Sequence, residues 1–161
     1  MNGWQRHGAQ IAAGGIILVA VAACAGMGGA PGTSAAKPLT CKQQYQAWRT
    51  GSANAPGKKV EADAAAVSAA GKSEDIPVMT SDLKTLGADA AALAAYPMPQ
   101  CADPAGYWMQ YLTAVKSAGD NAGTANGLGG LILAVAPLKQ VPAIQAKLTA
   151  ELAKTAGVKA S

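Results

Sequence analysis

The sequence predicts an all-α protein, a small helical bundle of about four main helices, on three observations. Between Leu39 and Thr155 apolar residues nowhere alternate with polar ones between turn residues, the period-two pattern of a half-buried strand. Alanine, the best helix former, supplies 39 of the 161 residues, while Phe is absent and aromatics reach only 4%. One stretch, Ile76, Met79, Leu83, Leu86, Ala90 and Leu93, repeats at spacings of three and four, which lays one apolar seam along a helix.

The elements follow in chain order. A first helix begins near Thr40 and puts Cys41, Tyr45 and Trp48 on one face. Gly51 to Gly57 interrupts it; Val60, Ala64 and Val67 then carry a second helix to about Ala70, where Gly71 is expected to stop it. A single helix with Pro56 at a junction stays open as the alternative. The seam defines a third helix from Ile76 to about Ala95, with Asp75 placed to cap it and Pro97 and Pro99 marking its end. Asp103-Pro104 announces a fourth, an N-cap followed by a proline at the first helical position, where a missing N–H costs nothing. Trp108, Tyr111, Leu112 and Val115 form its buried face, and Gly119 is read as its close. Gly123 to Gly130 reads as a connector, Leu131 to Leu138 as a short apolar helix, and Pro142 opens a last amphipathic helix with Ile144, Leu148 and Leu152. Ala70-Gly71 and Ala118-Gly119 read as helix ends, not as a repeat.

The amino terminus has the layout of an export signal. Met1 to Gly8 is polar with one cation, Arg6, and an apolar run of about 13 residues extends from Ile11 to Ala23, short of the roughly 20 that span a bilayer. Val21-Ala22-Ala23-Cys24 resembles the lipobox of bacterial lipoproteins. That resemblance implies lipid attachment at Cys24, through thioether and fatty acyl (palmitate-type) chains, and cleavage between Ala23 and Cys24. Residues 1–23 are then a signal peptide, 24–38 the lipidated Cys and a flexible tether reading AGMGGAPGTSAAKP after Cys24, 39–157 the helical bundle domain and 158–161 a tail. Two or three acyl chains, at about 0.8 kcal/mol per buried CH₂, make a stable anchor. The alternative is an ordinary secretory signal cut between Ala20 and Ala30, with Cys24 incidental. In composition the chain is similar to small Ala- and Gly-rich lipoproteins of high-GC Gram-positive bacteria.

Three cysteines leave one over from any pairing. With Cys24 capped as the resemblance implies, Cys41 and Cys101 remain, an even number in an oxidising compartment, and one disulfide is expected. Two free thiols acting as a redox or metal pair is the alternative, and the close CxxC spacing of such sites is lacking.

Charge and chemistry narrow the function. The formal charge is +4, or +3 once Arg6 leaves with the signal, and Lys58-Lys59 is the only adjacent basic pair. No stripe exists that could neutralise a run of phosphates, so nucleic acid is not an expected partner, while weak attraction to anionic lipid or wall polymer stays open. The only histidine, His7, lies in the signal. The remainder therefore has no Ser-His or Cys-His nucleophile and no imidazole for zinc. Glu74-Asp75, Asp82 and Asp89 are the acids to weigh for carboxylate-only catalysis; capping, dipole and solvation account for them. Gly123 to Gly130 lacks the Lys-Ser/Thr ending of a phosphate loop and no strand leads into it. Tyr107, Met109 and Tyr111 could ligate haem iron, but their helical spacing beside Trp108 reads as core.

No catalytic residue, cofactor or metal is therefore expected. The leading expectation is a non-enzymatic helical module, lipid-anchored on the outer face of the cytoplasmic membrane. It would bind a protein, a cell-wall polymer or a small apolar ligand, through Lys58 and Lys59 or the aromatic residues near Trp108. A carboxylate-dependent envelope enzyme would instead show an enclosed polar cleft with two facing acids, and a purely structural component would show neither cleft nor exposed apolar patch.

Overall fold

Thr40 opens the first helix with a reciprocal cap: its hydroxyl accepts the Gln43 N–H at 3.3 Å, and Gln43 Oε1 accepts the Thr40 N–H at 2.9 Å. The computed structural model describes residues 37–158, so the expected export signal, Cys24 and most of the expected tether lie outside the described residues. From that cap onward the order is α1 (Cys41–Thr50), α2 (Asn54–Lys72), α3 (Ile76–Leu93), α4 (Tyr107–Ala122), α5 (Gly127–Ala134), a 3-10 helix (Ala136–Gln140) and α6 (Val141–Thr155). No strand occurs among the described residues. The all-α bundle expected from the sequence is what the chain forms.

Several boundaries differ from expectation, each for a physical reason. α1 and α2 are separate, broken at Gly51 to Ala53. Pro56 therefore sits in the first turn of α2, where its missing N–H had no helical acceptor, not at a junction. Gly71 does not stop α2, which ends one residue later, at Lys72. Asp75 caps α3 as expected, accepting the Val78 N–H at 3.1 Å. Asp103-Pro104 is not the start of α4. Gly106, in the left-handed conformation (φ 69°), precedes Tyr107, and Asp103 caps from further upstream. Its two carboxylate oxygens accept the N–H groups of Tyr107 (2.9 Å) and Trp108 (2.7 Å), so a buried acid faces the positive end of the helix.

Gly119 does not close α4 either. α3 and α4 cross where Gly87 meets Gly119: a Cβ on Gly119 would lie 2.6 Å from Gly87 Cα and 2.8 Å from the Leu83 carbonyl oxygen. α5 starts at Gly127, inside the expected connector, and the expected helix from Leu131 to Leu138 is its second half plus the start of the 3-10 segment.

Small residues make this core. Ala90, Ala102, Ala118, Ala122 and Ala156 are almost wholly buried, and the large side chains most completely enclosed are Leu83, Leu93, Leu112, Leu131 and Val60. α3 lies between α2 and α4, α6 packs along α4, and α5 joins α4 to α6. Ile144, Leu148 and Leu152 turn one face of α6 inward, as their spacing predicts. The long loop after α3 is tied at two points. Cys101 is bonded to Cys41, with Cα atoms 5.7 Å apart, and the Thr155 hydroxyl donates to the Ala102 carbonyl at 2.9 Å.

Candidate functional site

The disulfide anchors α1 so that its aromatic face meets α4. Tyr45, Trp48, Trp108 and Tyr111 form a continuous row: centroids lie 5.9 Å apart for Tyr45 and Trp48, 5.5 Å for the edge-on Trp48 and Trp108, and 5.6 Å for the stacked Trp108 and Tyr111. Trp48 Nε1 donates to the Tyr96 carbonyl at 2.9 Å. Trp108 Nε1 and Arg49 Nη2 are shut off from solvent without a hydrogen-bond partner. Burial raises the Tyr45 hydroxyl above its ordinary pKa, partly offset by the Arg49 guanidinium. Burial raises Tyr111 too, with the Glu61 carboxylate adding to it.

Two open grooves adjoin this end. One, of about 220 Å³, is lined by Met98, Gln100, Asp103, Pro104, Trp108 and Met109 among others. A larger one, of about 500 Å³, runs between α4 and α6 beside Thr113, Ser117, Gln140, Ile144 and Lys147. Asp103 is the acid that reaches these walls, and both of its oxygens are engaged in capping α4. The grooves offer apolar surface, amides, hydroxyls and the Lys147 ammonium.

The acids of the molecule gather elsewhere. Asp82 and Asp89, expected on the solvated face of α3, are half-buried, and Asp63 of α2 faces them. Asp63 Oδ2 is closed to solvent and lacks a partner. Its pKa is raised, first by burial, then by its pairing with the Asp89 carboxyl and by the charges of Asp89 and Asp82, against the lowering effect of Lys59. These carboxylates line neither groove. Among the described residues no three His, Cys, Asp or Glu side chains are placed to hold a metal ion.

The remaining candidates from the sequence are dispersed. Cys24 lies outside the described residues, while Cys41 and Cys101 are joined. Lys58 and Lys59 are exposed on α2. Tyr111 is buried and Met109 exposed, so these two do not converge with Tyr107 on one iron position. Glu74 stands between α2 and α3 in a left-handed conformation (φ 55°), and Asp75 is occupied as a cap. Sequence reading missed Asp63, which no local motif links to Asp89, and the outer face of α5. There Leu128, Ile132 and Leu133 are 43%, 51% and 74% exposed. The four-residue interval from Leu128 to Ile132 was the available signal, hidden by the glycines around it.

No protein-family model, curated protein or solved structure matches this chain.

Proposed function

We propose that this protein is a lipid-anchored module on the outer face of a bacterial cytoplasmic membrane, acting through binding and not through catalysis. The observation that carries the reading is the Cys41–Cys101 bond: of three cysteines it uses two and leaves Cys24 alone in the lipobox-like tetrapeptide Val21-Ala22-Ala23-Cys24. A disulfide fits an oxidising compartment, which is where the export signal would deliver the chain. The shape of the folded part supports binding. Its core is filled, its described grooves are open, its paired acids lie outside those grooves, and aliphatic side chains on α5 face outward. The aromatic end, with Trp108 and Met109 at a groove, is the contact surface this reading favours for a protein, wall polymer or small apolar ligand.

The test is intact-mass analysis of protein taken from native membranes, beside a Cys24→Ser variant. The expected outcome is a chain starting at Cys24 with added acyl mass, and loss of the variant from the membrane fraction. An unmodified first residue, or a variant retained in the membrane, removes the anchor. Affinity purification of the anchored protein then identifies the partner, and a Met109→Ala variant, altered at an exposed side chain that lines both grooves, is expected to lose it.

A further inference from the structure

α5 differs from every other helix of the bundle. No residue from Asn121 to Leu138, on either side of it or within it, carries a charge. Leu131 and Ala134 turn into the core, whereas Leu128, Ile132 and Leu133 point outward. Leu128 and Ile132 share one face a turn apart and Leu133 lies about 100° further round, so the three spread aliphatic surface over a broad outer arc of the helix. Within the surrounding stretch Gly127–Thr155 the most apolar 18-residue window reaches a mean hydropathy of 1.5, yet the 3-10 segment breaks it and Ile144, Leu148 and Leu152 are committed to the core. It is bundle wall, not a membrane span.

We infer that the outer face of α5 is a second membrane contact, resting in the interfacial layer of the bilayer that holds Cys24; this rests on the anchoring reading above. Reach, charge and shape select lipid as the occupant. The chain emerges beside the start of α1, which Cys41 fixes to the loop before α4, and α5 follows the opposite end of α4. The 16 residues of α4 separate these ends by about 24 Å. The 13 residue steps from Cys24 to Lys37 can extend to about 45 Å, so the anchor does not hold α5 off the surface. No charge in the patch has to leave water, and the exposed Lys139 just beyond it, on a chain of formal charge +3 without Arg6, matches anionic headgroups. A protein partner would be expected to meet a pocket, an aromatic or an arginine, and α5 offers none of these.

The experiment uses the native lipidated protein in vesicles of phosphatidylcholine and phosphatidylglycerol. An environment-sensitive dye is placed on Gly129→Cys, a position on the outer face of α5 with open space around a Cβ, or on Lys84→Cys, exposed on α3, as control. Spin-labelled lipid is expected to quench the dye at position 129 several-fold more than at position 84, and Leu133→Asp to abolish the difference. Because Leu133 is exposed, that variant keeps the core intact. Equal quenching at both positions overturns the inference. So does a concentration-dependent dye shift at position 129 in the Cys24→Ser chain without lipid, since a second copy would then cover the patch. Flotation separates the two readings. Lipidated protein that fails to float removes the anchor, whereas protein that floats with equal quenching removes only the α5 contact.

Discussion

Gly87 and Gly119 set how closely α3 and α4 approach, and what surrounds each is backbone that cannot swing away. A Cβ on Gly119 would meet Gly87 Cα at 2.6 Å, the Leu83 oxygen at 2.8 Å and Gly87 N at 3.0 Å. Gly119→Ala must therefore push two helices apart. Overpacking of this kind costs about 1–3 kcal/mol, against a gain of about 0.5–1 kcal/mol from helix propensity, so a net loss of about 1 kcal/mol is expected in chemical denaturation. Gly129 gives the opposite sign. A Cβ there touches nothing within 4 Å, so Gly129→Ala should stabilise α5 by about 0.5–1 kcal/mol. If Gly119→Ala left the midpoint unchanged, the close helix crossing would be wrong.

At the scale of elements, the pairing of α2 with α3 brings acids together that the sequence keeps 26 positions apart, Asp63 and Asp89. Two facing carboxylates cannot hydrogen-bond to each other while both are ionised, and Asp63 Oδ2 has no other partner. A proton between them supplies the missing donor. The Asp63 pKa is thus raised on folding, and a raised pKa means the native state binds the proton more tightly than the unfolded chain. Its stabilising effect is fully present below the ordinary Asp value of 3.8 and is lost as pH rises through the raised native value. Denaturation midpoints measured from pH 7 downward should show a rise that Asp63→Asn removes; identical profiles would refute the pairing.

Such pairings explain what could and could not be read from the chain. The α3 seam and the inward faces of α4 and α6 were legible because burial of one helical face imposes a period on the residues themselves. Gly119 was misread because an Ala-Gly step looks the same at a helix end and at a helix crossing; only the facing Gly87 decides. Asp103 was recognised as a cap but placed too close to α4, since the left-handed Gly106 that lets it reach forward has no distinct signature. α5 was half hidden because glycine suggests a connector until neighbours hold it helical. Within the candidate site, Cys41, Cys101 and Trp108 were legible from residue type, whereas Asp63 and the outer face of α5 depended on packing.

For the whole molecule, the disulfide governs whether α1 belongs to the bundle. α1 buries Tyr45, rests Trp48 on Trp108 and gains one hydrogen bond to the Tyr96 carbonyl; with so modest an interface, the covalent tie to Cys101 carries weight. Cross-linking positions 60 residues apart removes enough unfolded-chain freedom to stabilise by about 4 kcal/mol in the chain-entropy treatment. A Cys41→Ser/Cys101→Ser double variant should lose about 2–4 kcal/mol. It should also show fast amide exchange across α1 while α3 and α4, joined at their glycine crossing, stay protected. Unchanged protection of α1 would mean that the aromatic row alone holds it. Under the proposed outward topology the same bond should persist in the cell, because the surroundings there keep thiols oxidised. In intact cells Cys41 and Cys101 should resist a membrane-permeant thiol reagent until a reductant is added. Labelling without reduction would place the native chain among reducing surroundings and would undo the outward topology together with the anchor.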